Sequence, residues 1–212
     1  MPRRLLSAAA ACTLLLGLVA CGEEEGAVST PPPVIDIGGP SDGGGDAVAS
    51  DGGGDEESPS EAPAVAAPNP ADYPGMDEQT EEGAQQFTRY FFAMLIWGFQ
   101  TGEHEQIEEL YDPGCTVCES NLQIVRELKQ EGEYWSPVEV TDAVLRDLPV
   151  ANDEFDKAVH YEARVSAHVQ PAFGDQAEAN MPPTLFKFQA GLDWDGDGWI
   201  IKGAALDLEE AE

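Results

Sequence analysis

The sequence predicts an α+β domain at the end of a chain whose first third lacks the means to fold. Three observations carry this. Between Phe87 and Phe99 the large apolar residues recur at three- and four-residue steps, the period of a buried helix face. From Val138 onward the period drops to two, as in strands with one face buried. From Gly22 to Asp72 there is no Lys, Arg, Cys or aromatic residue, so that stretch cannot offset the entropy of ordering it. Helices first and a run of strands afterwards is the element order of an α+β fold.

The first helix has Asp77 and Thr80 as candidate caps, with Glu78, Glu81 and Glu82 near its positive end. Phe87, Tyr90, Phe91, Met94, Leu95 and Gly98 form its apolar face, which Phe92, Trp97 and Phe99 widen, and Thr101-Gly102 stops it. A second helix, Glu103 to Tyr111, is expected to bury Ile107, Leu110 and Tyr111, before an Asp112-Pro113-Gly114 turn. A third runs from about Cys115 to Gln130, with Leu122, Val125 and Leu128 on one side, and ends at Gly132. Val138, Val140 and Val144 begin the alternating pattern. Val159, Tyr161, Ala163, Val165, Ala167 and Val169 continue it over a long strand, followed by a polar loop. Leu185 to Trp194 and Trp199 to Leu208 are two strands joined by an Asp/Gly turn. This places the foldable domain at 73–212, behind a linker at 21–72 and an apolar N-terminal segment at 1–20.

Three groups of residues are candidates for chemistry. Cys115 and Cys118 form a CxxC pair at a predicted helix start, where the dipole stabilises thiolate and so suits redox work. The pair follows a helix and a Pro-Gly turn, however, and outside the cytoplasm a structural disulfide explains it. Two cysteines are half of a zinc site, and His104, His160 and His168 lie at no ligand spacing. Asp193, Asp195 and Asp197, with Gly196 and Gly198, match the start of a calcium loop. The twelfth position of such a loop is Ala204 instead of Glu, and a hairpin turn accounts for the same residues. No other metal or cofactor is expected. His160 and His168 stand an even number apart, so they are expected on one solvated strand face with Glu162, Arg164 and Ser166.

The formal net charge is −31, with a pI near 4.1. Such a chain repels nucleic acid, and it suits cations, basic partners or plain solvation. The linker contains two near-copies of Asp-Gly-Gly-Gly-Asp, at 42–46 and 51–55, and Pro31-Pro32-Pro33. A flexible chain of this length spans about 40 Å root-mean-square, and like charges extend it.

Arg3 and Arg4 precede an apolar run, Leu5 to Val19, that is short for a transmembrane helix. It ends in Leu18-Val19-Ala20-Cys21. This stretch resembles the lipobox of bacterial lipoprotein precursors. The resemblance implies cleavage before Cys21, a diacylglyceryl group on its sulfur, and a mature protein held at the extracytoplasmic face of the cell membrane. Two acyl chains make a stable anchor where one makes a marginal one.

The domain itself looks like the nuclear transport factor 2-like cone, in which N-terminal helices pack on a curved antiparallel sheet. Its closing hairpin, Leu192 to Ile201, is similar to the final hairpin of that superfamily. Tyr73-Pro74, Met76, Gly83-Ala84, Tyr90, Thr101-Gly102 and Pro113-Gly114-Cys115-Thr116-Val117-Cys118 resemble an uncharacterised domain family of actinobacterial lipoproteins. The superfamily contains isomerases, cyclases, binding proteins and inert accessory domains, so the fold does not give the function. Mainly aromatic and aliphatic residues are expected inside the cone. That favours a non-catalytic binding or accessory module of the cell envelope, with an envelope protein or a small apolar ligand as partner. The alternative is an isomerase- or cyclase-like enzyme, which a buried Asp, Glu or His pointing into a pocket would favour.

Overall fold

Among the described residues, α-helices lie against a four-stranded antiparallel sheet, and two short strands form a separate sheet. The computed structural model describes residues 62–150 and 154–211. The segment expected to serve export, residues 1–20, the expected lipobox Leu18, Val19, Ala20 and Cys21, and the expected linker as far as residue 61 lie outside the described residues. Among the described residues no helix is long and apolar enough to cross a membrane.

Helix α1, Glu81–Thr101, is the core of the domain. Thr80 caps it, its Oγ1 accepting from the Gly83 amide at 2.9 Å. Gly102 ends it in the left-handed conformation, φ 75°, which a side chain would strain. Sixteen of its residues from Gly83 to Gln100 are buried, because both sides of the helix are covered. One side meets the sheet, where Phe91 stacks on Phe188 with centroids 5.7 Å apart. Another meets helix α3, Thr116–Glu131, which buries Cys118, Leu122, Val125 and Leu128.

The second helix, expected over 103–111, is a single turn, α2, Glu105–Glu108. The reason lies in the sheet. The Ile201 amide donates to the Leu110 carbonyl and the Asp112 amide to the Ile201 carbonyl, so a strand takes the backbone groups a longer helix needs.

The main sheet has the order β1-β2-β5-β6, all neighbours antiparallel. Its strands are β1, Val140–Leu148; β2, Lys157–Val165; β5, Thr184–Trp194; and β6, Trp199–Glu210. Two irregularities, at Asp142/Val144 and at Gly191/Leu192, break the register. On the face away from the helices, Phe155 lies over Gly191 and Gly203, which pair across β5 and β6. A β-carbon at Gly191 would fall 2.5 Å from the Phe155 ring.

The long strand expected over 159–169 is two pieces. It breaks after Val165, and His168–Gln170 forms β3, which pairs with β4, Ala179–Met181, inside the segment read as a polar loop. The break reverses the alternation. Val159, Tyr161, Ala163 and Val165 are buried, but beyond the break Ala167 is exposed and His168 buried.

The ordered domain also starts before Tyr73. Residues 62–72, assigned from composition to the linker, lie on α1. Pro68 is buried, Val65 packs against the core, and the Val65 carbonyl accepts from Trp97 Nε1 at 3.1 Å.

Candidate functional site

Among the described residues, the helices, the sheet and the chain that follows α3 line a recess of about 240 Å³. Helix α1 supplies Phe92, Leu95, Ile96 and Phe99 to its wall, because residues three and four apart share one side of the helix. Helix α3 adds Asn121, Ile124 and Leu128, and the sheet adds Phe186, Leu206 and Leu208. Leu208 is 57% exposed, the most open large apolar residue among those described. The segment 170–176 completes the rim with Gln170, Phe173 and Gln176.

Trp135 is the remaining wall, and several bonds hold it. Its amide donates to the Phe99 carbonyl at 3.0 Å, and its ring lies 4.4 Å from that of Phe99, within 10° of parallel. Three residues on, the Val138 amide donates to Gln100 Oε1 at 3.0 Å. On its other side Trp135 stacks on His168 at 4.7 Å. The polar side chains lining the recess are the amides of Asn121, Gln170 and Gln176 and the indole of Trp135, and none of its lining side chains is ionisable.

A second cluster lies behind Phe92, away from the recess. Arg89 on α1 and Asp142 on β1 form an ion pair at 2.6 Å, with side chains 5% and 8% exposed. The Tyr161 hydroxyl donates to the other oxygen of Asp142. Arg89 Nη1 donates to Gln86 Oε1 at 2.7 Å, and its guanidinium lies 5.5 Å from the centre of the Tyr73 ring. Burial pushes the Tyr73 hydroxyl up to about 12 and also raises that of Tyr161, with Asp142 adding to the effect in each. Phe92, edge-on to Tyr161 at 5.4 Å, separates this cluster from the recess. Both Asp142 oxygens are engaged, so the carboxylate is not free to take a proton from anything in the recess.

The two histidines do not share a solvated strand face. His160 is 6% exposed and bonds Glu162 Oε1 through Nε2 at 2.8 Å; its Nδ1 is buried without a hydrogen-bond partner among the described residues. His168 is 5% exposed and faces Trp135, because the strand break turns it inward. Burial lowers its pKa.

Cys115 and Cys118 are joined by a disulfide, with Cα atoms 5.3 Å apart. Cys115 caps α3, and the Cys118 amide lies 3.3 Å from its sulfur. Both cysteines are buried, at 1% and 3% exposure. The Asp193 to Gly198 segment ends β5 and turns into β6. Asp195 Oδ1 accepts from the amides of Asp197 and Gly198, both at 2.9 Å, and Asp193 Oδ1 from that of Asp156 at 3.1 Å. Two of the three carboxylates thus serve the backbone, which is what a turn asks of them.

Trp135, Asn121 and Gln170 are not singled out by pattern, and no period in the sequence marks them. Arg89 and Asp142 did leave a signal. Arg89 is the one basic residue in Glu81–Thr101, and Asp142 has the inward parity of Val140.

A family model described as a family of unknown function (DUF6318) matches residues 56–204. No curated protein matches the chain.

Proposed function

The chain belongs to the DUF6318 family, to which no activity is attached, and from the chemistry of its recess we propose that the domain is a non-catalytic binding module for a small apolar ligand. The observation that carries this is the lining: aromatic and aliphatic walls, three amides, one indole and no titratable group. A site of this kind can bind and orient but has no acid or base to move a proton. The enzyme reading needs a carboxylate or imidazole facing the ligand. Asp142 is spent on Arg89 and Tyr161, and His168 sits behind Trp135 with both ring nitrogens bonded.

The wider setting is part of the same proposal. Cys21, behind Leu18-Val19-Ala20, is the lipid attachment site, and the mature chain stands off the extracytoplasmic face of the membrane on its acidic linker. The apolar run with basic residues before it, and the Gly/Pro/Asp-rich stretch after it, support this. The domain has the nuclear transport factor 2-like cone, supported by helices packed on one face of an antiparallel sheet with the recess between them.

Calorimetric titration of the chain with naphthalene tests the binding reading. Saturable heat is expected, and Ile124→Phe, which fills the recess from α3, should weaken it while leaving the melting temperature nearly unchanged. Binding that is absent, or indifferent to that substitution, sinks the proposal. For the anchor, Cys21→Ser should abolish incorporation of labelled fatty acid.

A further inference from the structure

On the reading of the recess as a binding site, the orientation of two amides decides what it binds. Asn121 Nδ2 donates to the Val117 carbonyl at 2.8 Å. A carbonyl oxygen only accepts, so this contact fixes the amide with its nitrogen turned back to the helix and Oδ1 left over. Gln170 is fixed by a longer relay. His168 Nδ1 stands 2.9 Å from the Ser166 carbonyl and therefore carries a proton. In the neutral ring Nε2 then holds a lone pair and no proton. The Gln170 Nε2 group, 3.1 Å away, must donate to it, and Gln170 Oε1 is left over. Neither leftover oxygen has a partner among the described residues. Gln176, the third amide, is exposed at the rim and has no such bias.

We propose that the recess selects a neutral apolar molecule carrying a hydrogen-bond donor, an alcohol or phenol, through the carbonyl oxygens of Asn121 and Gln170. His168 is a positioning residue that aims Gln170. A carboxylate is the wrong class on two counts: it would meet two acceptor oxygens, and it would approach a chain of net charge −31. Anionic amphiphiles such as free fatty acids are therefore excluded in favour of hydroxyl-bearing hydrocarbons.

Three probes of one shape test this by calorimetry on the chain at pH 7.5: naphthalene, 1-naphthol and 1-naphthoate. 1-Naphthol should bind about three- to tenfold more tightly than naphthalene, the worth of a neutral hydrogen bond, and 1-naphthoate most weakly. Asn121→Leu and Gln170→Leu should each bring the ratio of naphthol to naphthalene affinity down towards one. His168→Phe keeps an aromatic ring against Trp135 but releases the Gln170 amide, and should lower the same ratio. Equal binding of naphthol and naphthalene, tighter binding of naphthoate, or a naphthol advantage that survives both leucine substitutions overturns the proposal and leaves the binding reading standing. Failure of all three probes overturns both.

Discussion

Arg89 Nη2 lies 2.6 Å from Asp142 Oδ2 in a place almost closed to water. The pair joins α1 to β1, and Tyr161 on β2 holds the second carboxylate oxygen, so three elements meet at one charge-balanced point. Burying two charges costs several kcal/mol per ion, and their attraction offsets this only while both are present. Asp142→Ala should therefore cost about 3–5 kcal/mol, because it strands the guanidinium. The double substitution Arg89→Met with Asp142→Leu should cost less than Asp142→Ala alone. Denaturant unfolding of the variants checks the order. A loss below about 1 kcal/mol for Asp142→Ala would mean that the pair is screened as at a surface.

The edge of the domain gives a second prediction. Trp97 Nε1 donates to the Val65 carbonyl, and Pro68 is buried. A chain begun at Tyr73 loses both and leaves a largely buried indole N–H without its acceptor, at about 1–3 kcal/mol. It should melt below a chain begun at residue 56, where the family match begins. Equal melting temperatures would show that the segment lies on the domain without supporting it.

These two cases show where the sequence was informative. Composition could not separate residues 62–72 from the linker, because Ala, Pro and Val serve a packed strap as well as a loose one. Periodicity found α1, α3 and most of the main sheet, since each buries a regular set of apolar side chains. It failed at Ser166 and Ala167, where the chain bends and the alternation changes phase, and so it turned His168 to the wrong side. The recess depends on that bend. Trp135 is held there by Phe99 and His168, and Gln170 is aimed by His168, and none of these relations leaves a spacing in the chain. The Arg89–Asp142 pair was legible in principle, as a lone base on an apolar helix and a lone acid at an inward strand position, but only the fold says that the two meet.

His168 makes stability depend on pH. Burial lowers its pKa in the folded domain below the ordinary value of 6.5. Above that pH both folded and unfolded chains hold the ring neutral, and it has no effect. As pH falls through 6.5 the unfolded chain takes up a proton that the folded domain refuses, so stability is lost with falling pH until the folded value is passed. Between pH 7.5 and 5.5 the melting temperature should fall more steeply for the natural chain than for His168→Gln. The substitution also removes the ring stacked on Trp135, so the slope is the measurement to compare. Parallel slopes would place the pH dependence elsewhere.

The acidic turn between β5 and β6 carries the last prediction. Three carboxylates at alternate positions repel one another, and a bound cation would relieve that. The turn uses its acids otherwise. Asp195 Oδ1 takes two amide hydrogens, those of Asp197 and Gly198, and these bonds lower its pKa. Asp193 takes the amide of Asp156. Gly196, at φ 111°, supplies a backbone conformation that a side chain would strain. Calcium needs six to eight oxygen ligands, and enlisting Asp195 would pull its oxygen from two backbone donors. Titration with calcium should therefore give no saturable heat at micromolar concentration. Asp195→Asn keeps an acceptor at the same place and should melt close to the natural chain, whereas Asp195→Ala leaves both amides to water and should melt lower. Because the folded carboxylate has the lower pKa, its share of stability is present above the ordinary carboxylate range and disappears as pH falls through the folded value. A stoichiometric micromolar calcium site that Asp195→Asn removes would make this turn a metal centre instead of a hairpin connection.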